Sequence, residues 1–133
     1  MEPILLWEIL DTILSGRAYE SQSLDTRPHA DGYFFTINME ESTIANSAIS
    51  RGPRTVTVAV HHNAEIDRDY GPITRLLNLV DLAFQQIDDD KGSDGIRVSQ
   101  VRRQGRSGNL LDEGWNTITR TATYGVSYNE YAV

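Results

Sequence analysis

The sequence has no cysteine, and in 133 residues it has one lysine, two methionines and three histidines. Without cysteine there are no disulfides, no thiol nucleophile and no thiolate metal ligands, and the composition suits folding in a reducing compartment. Nor does any run approach the ~20 apolar residues that a membrane-spanning helix needs. The opening MEPILLWEILDTIL carries Glu2, Glu8 and Asp11 where a secretion signal has basic residues. Together these absences predict a soluble protein that works where it is made.

Positive charge is scarce too. Net charge is −7, and Lys91 is the only lysine among twelve basic residues, the other eleven being arginine. Residues 1–50 hold eight acids against two bases, whereas residues 96–133 hold five bases against three acids. The acidic far field repels phosphate, which makes the chain a poor binder of duplex DNA. Arginine grips carboxylates through a planar fork of donors, so an acidic first part and an arginine-rich last part predict complementary surfaces. Two copies meeting head to tail would use both; an ordinary solvated surface would also carry such charges.

With 39% apolar and 23% charged residues, the composition is globular. The length predicts one domain over 1–133, burying roughly two-thirds of its unfolded surface. Residues 3–14 repeat Leu6, Ile9, Leu10, Ile13 and Leu14 at helical spacing, with Pro3 in the first turn and Gly16 placed to end the helix. Residues 17–31 read as a polar loop. YFFTINME (33–40) alternates as a half-buried strand, 41–53 reads as a long connection, and RTVTVAVHH (54–62) is the clearest strand. Residues 70–87 form a second amphipathic helix, with Leu79 and Leu82 off its apolar stripe. After the charged turn 88–95 come strands at 96–103 and 116–131, joined by 104–115. The order helix, strand, strand, helix, strand, strand predicts an α+β two-layer sandwich: a mostly antiparallel four-stranded sheet with two helices on one face.

Chemistry is sought first in VAVHHNAEIDRDY (58–70). His61 and His62 are strand neighbours and point to opposite faces, so regular geometry does not bring both to one metal. The third histidine, His29, lies in a remote loop. A small metal-dependent hydrolase would need His61 or His62 with Asp67 or Asp69. The competing reading is a strand end followed by an acidic helix start, where Asp69 caps the first turn and Pro72 is tolerated. Gly105-Arg106-Ser107-Gly108 is too short for a phosphate loop, and Asp88-Asp89-Asp90 lacks the spacing of a calcium loop. The cluster Arg97, Arg102, Arg103 and Arg106 has no interleaved aromatic residue for base stacking, which favours a subunit interface over nucleic acid.

The segments ILLWEILDTIL–SGRAY, YFFTINMEE, RTVTVAVHHN leading into ITRLLNLVDLAFQQI, and IRVSQVRRQGRSGNLLDEGWNTITRTATYGVSY follow a known order. The chain resembles the tail terminator (tail completion) proteins of long-tailed bacteriophages, the lambda-type minor tail components. That resemblance implies a structural virion protein rather than an enzyme, without cofactor or metal. It implies a closed ring, usually a hexamer, that caps the tail tube and stops its polymerisation. Its partners would be the tail tube protein and the head–tail connector or stopper, with genomic DNA passing through the lumen unbound. A head-side neck protein (stopper or adaptor) or another minor tail protein has a similar layout. A ring requires two different complementary patches, which the uneven charge would supply.

Overall fold

In Arg51–Asn63 (β3), threonines and valines, all β-branched, alternate through residues 55–58, a composition that favours a pleated, half-buried strand. A computed structural model describes residues 4–15, 17–20, 32–40 and 51–129 of the chain. The further elements are Ile4–Ile13 (α1), Ala18–Glu20 (β1), Tyr33–Glu40 (β2), Gly71–Gln85 (α2), Asp90–Lys91 (β4), Arg97–Arg106 (β5), Leu110–Asp112 (β6) and Thr117–Asn129 (β7). None of the helices among the described residues is long and apolar enough to cross a membrane.

The strands form one curled, mixed sheet of seven, in the order β1-β2-β3-β7-β5-β4, with β6 pairing β7 beside the end of β5. This corrects the expected antiparallel four-stranded sheet. The six long elements are those read from the sequence, but three short strands of three, two and three residues join them. Segments this short show no alternation, so their sequence reads as loop and turn. β1 lies parallel to β2, with Ala18 opposite Phe35, and the Phe35 N–H donates to the Arg17 carbonyl at 2.8 Å. Expectations about Pro3, Gly16, His29, most of the connections 17–31 and 41–53, and the last residues of the 116–131 strand lie outside the described residues.

β3 and β7 pair antiparallel from Arg51 opposite Asn129 to Asn63 opposite Thr117, forming the spine of the sheet. Because side chains alternate, Phe35 and Ile37 of β2, Val56, Val58 and Val60 of β3, and Ala122, Tyr124 and Val126 of β7 share one face. The helices supply Leu6, Leu10, Ile73, Leu77, Val80 and Phe84 to the same core cluster. The other face carries Thr36, Thr57, His61, Thr119, Thr121 and Thr123.

α1 is tied at its start by a turn ninety residues away in the chain. The Ile4 N–H donates to Asp94 Oδ2 at 3.0 Å, and the Ser93 N–H donates to Glu8 Oε1 at 2.8 Å. The Asp94 carboxylate thus answers an N–H that the helix itself leaves unpaired and favours its positive end. Gly95 turns the β4–β5 hairpin at φ +83°, a backbone state that costs a glycine little.

Candidate functional site

Residues 58–70 resolve into strand, turn and helix start. Three side chains each bond the backbone two residues on: Asn63 Oδ1 accepts from Glu65 N at 2.9 Å, Asp67 Oδ1 from Asp69 N at 3.0 Å, and Asp69 Oδ1 from Gly71 N at 2.9 Å. Such local bonds are why Asn and Asp favour turns over regular structure. The N-cap position of α2 is Tyr70, without a side-chain cap of its own, so Asp69 serves the first helical N–H from one residue earlier. The Tyr70 hydroxyl donates to the Leu110 carbonyl at 2.6 Å and fastens β6 beside the helix start.

The two histidines occupy opposite faces, as strand geometry requires. His61 stacks on Phe34, its direct cross-strand partner, with centroids 5.0 Å apart, and meets Trp115 edge-on at 5.3 Å. Its Nε2 lies 3.1 Å from Thr36 Oγ1 and its Nδ1 lies 3.0 Å from Thr117 Oγ1. A hydroxyl donates or accepts, so a neutral imidazole with one N–H is satisfied at both ends. Burial strips water from the charged form and pushes the His61 pKa down to about 4, against a smaller opposing pull from Asp112.

His62 stacks on Tyr33, with centroids 4.2 Å apart. Its Nδ1 is 3.3 Å from the Gly32 carbonyl and its Nε2 is 3.3 Å from Asp67 Oδ2. Asp67 therefore fastens the turn to the strand, while Asp69 is bonded to the helix start instead. Among the described residues, no three His, Cys, Asp or Glu side chains converge as a metal site. The hydrolase reading would need a ligand beyond the His62–Asp67 pair.

The arginines divide between interior and surface, and two β-bulges in β5 decide which go where. Register shifts between Val98 and Gln100 and between Arg103 and Gly105 break strict alternation. Val98, Val101, Arg103 and Arg106 consequently face α2, opposite Tyr128, Val126, Tyr124 and Ala122. There Arg106 and Arg103 both donate to the buried carboxylate of Asp81, Arg103 at 3.3 Å, and the Tyr124 hydroxyl donates to its other oxygen. Burial, reinforced by that hydrogen bond, raises the Tyr124 pKa and keeps the phenol neutral.

Arg97 lies on the surface, its guanidinium 3.8 Å from Asp89, and Arg102 is exposed. A further arginine sits under α2: Arg120 donates to Thr74 Oγ1 at 2.8 Å and to the Ser107 carbonyl.

Asp81, Tyr124 and Arg120 were not singled out from the sequence. A signal was there for Asp81, since it follows Leu77 by four residues and precedes Phe84 by three, placing an acid on the apolar stripe. Valines three apart at 98 and 101 likewise announce a bulge. For Arg120 the signal was alternation itself, since Ile118 and Ala122 on either side place it on the apolar face of β7.

The chain matches neither a model of any known protein family nor any curated protein sequence.

Proposed function

We propose that this protein is a structural component of a phage tail that acts through its surfaces: a terminator whose ring caps the tail tube. The observation that carries the reading is the outer face of α2, where Leu79 and Leu82 are 49% and 58% exposed. Leucines at this exposure, three residues apart on one helix, suit burial by another protein. The groups that suggested chemistry, by contrast, are engaged within the fold. His61 is held between hydroxyls, and His62 is tied to Asp67 and Gly32.

The element order supports the same reading. The six long elements keep the sequence of types on which the resemblance to tail terminators rests, with the arginine-bearing β5 and the long β7 as the last pair. The proposed partners are further copies of the chain, the tail tube protein and the connector above it, with DNA passing through unbound. A test is reconstitution. Purified protein added to tail tubes assembled without it should bind one end of each tube and make the tubes competent to join heads. Binding along the tube wall, or joining of heads without the protein, contradicts the reading.

A further inference from the structure

The two helices pack against each other without closing over their outer side. Between them lies a groove of about 530 Å³, walled by Leu5, Ile9 and Ile13 of α1 and by Ala83 and Ile87 at the end of α2. Leu5, Ile9 and Ile13 recur every four residues, so they form one row along α1. Ala83 shares a row with Leu79, and Gln86, which also lines the groove, stands four residues after Leu82 and seven after Leu79. The exposed leucines therefore carry the apolar wall of the groove up the helix. At 1.5 Å per residue each row runs about 12 Å, a little over two helical turns.

The end of this groove is acidic. Asp90 and Lys91 line it, and exposed Asp88 and Asp89 stand just ahead of them. Glu8 of α1 reaches the same turn, where its Oε1 accepts from the Ser93 N–H, and Asp94 accepts from the Ile4 N–H. Among the described residues the bases of this turn are Lys91 and Arg97, against five carboxylates. The backbone adds to the imbalance, since α2 ends here with the negative pole of its dipole and has no basic residue in its last turn.

We infer that the groove receives an amphipathic helix of a partner protein, with its apolar stripe along Leu79, Ala83 and the α1 row and its Lys or Arg residues over the 88–94 turn. A helix fits because rows at four-residue spacing take apolar anchors at i, i+3, i+4 and i+7, so the partner packs as a third helix of the layer. The acidic turn selects its flank, because glutamates placed there would be repelled. This rests on the reading that another protein covers Leu79 and Leu82, and it names the chemistry of that partner.

The test is an anisotropy titration of a labelled model peptide with the purified full chain. The peptide has about 18 residues, leucines at the i, i+3, i+4 and i+7 spacing and lysines elsewhere. One control holds the same residues in an order without the stripe, and the other has glutamate for every lysine. The striped basic peptide should bind at least about tenfold more tightly than either control. Leu79→Ser, which removes an exposed anchor, and Gln86→Arg, which sets a cation in the groove, should each weaken it about tenfold. Gln86→Arg also suits the end of α2, so the fold stays intact. Leu110→Ser, at an exposed leucine outside the groove, should change nothing. A reordered peptide that binds as well as the striped one would reveal mere attraction to an acidic chain and overturn the proposal. So would binding that neither groove change weakens. A chain that caps tail tubes but ignores the peptide loses this proposal alone. One that binds the peptide in the groove yet never caps tubes loses the tail reading alone.

Discussion

The carboxylate of Asp81 on α2 accepts from the guanidinium of Arg106 on β5, a contact that joins the helix layer to the sheet inside the core. The Arg106 side chain is 12% exposed, so the pair is largely desolvated. Such a pair adds modest stability over apolar packing, but breaking it leaves a buried charge without its counter-ion. Asp81→Ala should therefore cost about 3–5 kcal/mol in urea denaturation. Arg103→Ala, at the half-exposed member, should cost less than about 1 kcal/mol.

His61 makes stability depend on pH. Its folded pKa of about 4 lies below the ordinary 6.5, so between these values the unfolded chain binds the extra proton. The stabilisation is fully present above pH 6.5 and is lost as pH falls towards 4. Its size is about 3 kcal/mol at full development. His61→Asn should be less stable than wild type at pH 7, and the gap should shrink steadily towards pH 4.5. A gap that does not change with pH would contradict the buried neutral imidazole.

Gly92 has no room for a side chain. A Cβ there would sit 2.7 Å from the Leu5 backbone nitrogen and 2.8 Å from Ile4 Cγ2, against the first turn of α1. Backbone does not yield as a flexible side-chain tip does. Gly92→Ala should cost about 1–3 kcal/mol and lower the thermal midpoint. Gly108→Ala, where the space is open, serves as the control and should cost little.

The His62–Asp67 pair gives a direct test against a metal-dependent hydrolase. Protein dialysed against zinc or manganese and then freed of excess ion should retain no stoichiometric metal, and His62→Ala should not change that content. Metal retained one to one by wild type and lost in His62→Ala would favour the hydrolase instead.

The sequence disclosed the long elements because their periods run long enough to be read. Alternation through Val56, Val58 and Val60 marked β3, and the helical stripe through Ile73, Leu77, Val80 and Phe84 marked α2. It also sent His61 and His62 to opposite faces, where they are found. The short strands β1, β4 and β6 were not legible, since two or three residues hold no period and their pairing is set by distant partners. The arginines of β5 were legible as a cluster but not in their orientations. The bulge near Gln104 puts Arg103 and Arg106 on the same face, although a regular strand would put them on opposite ones. Asp81 completes that group from another element, a meeting that spacing along one strand does not reveal.

The most direct test of the account is the distribution of tail lengths in particles made without this protein, read from electron micrographs. A terminator predicts tails that run past their normal length and fail to join heads, restored to normal length when the wild-type gene is supplied in trans. Free tails of normal length would contradict the terminator reading and point to a head-side neck protein, and unaltered infectious particles would contradict any role in the tail.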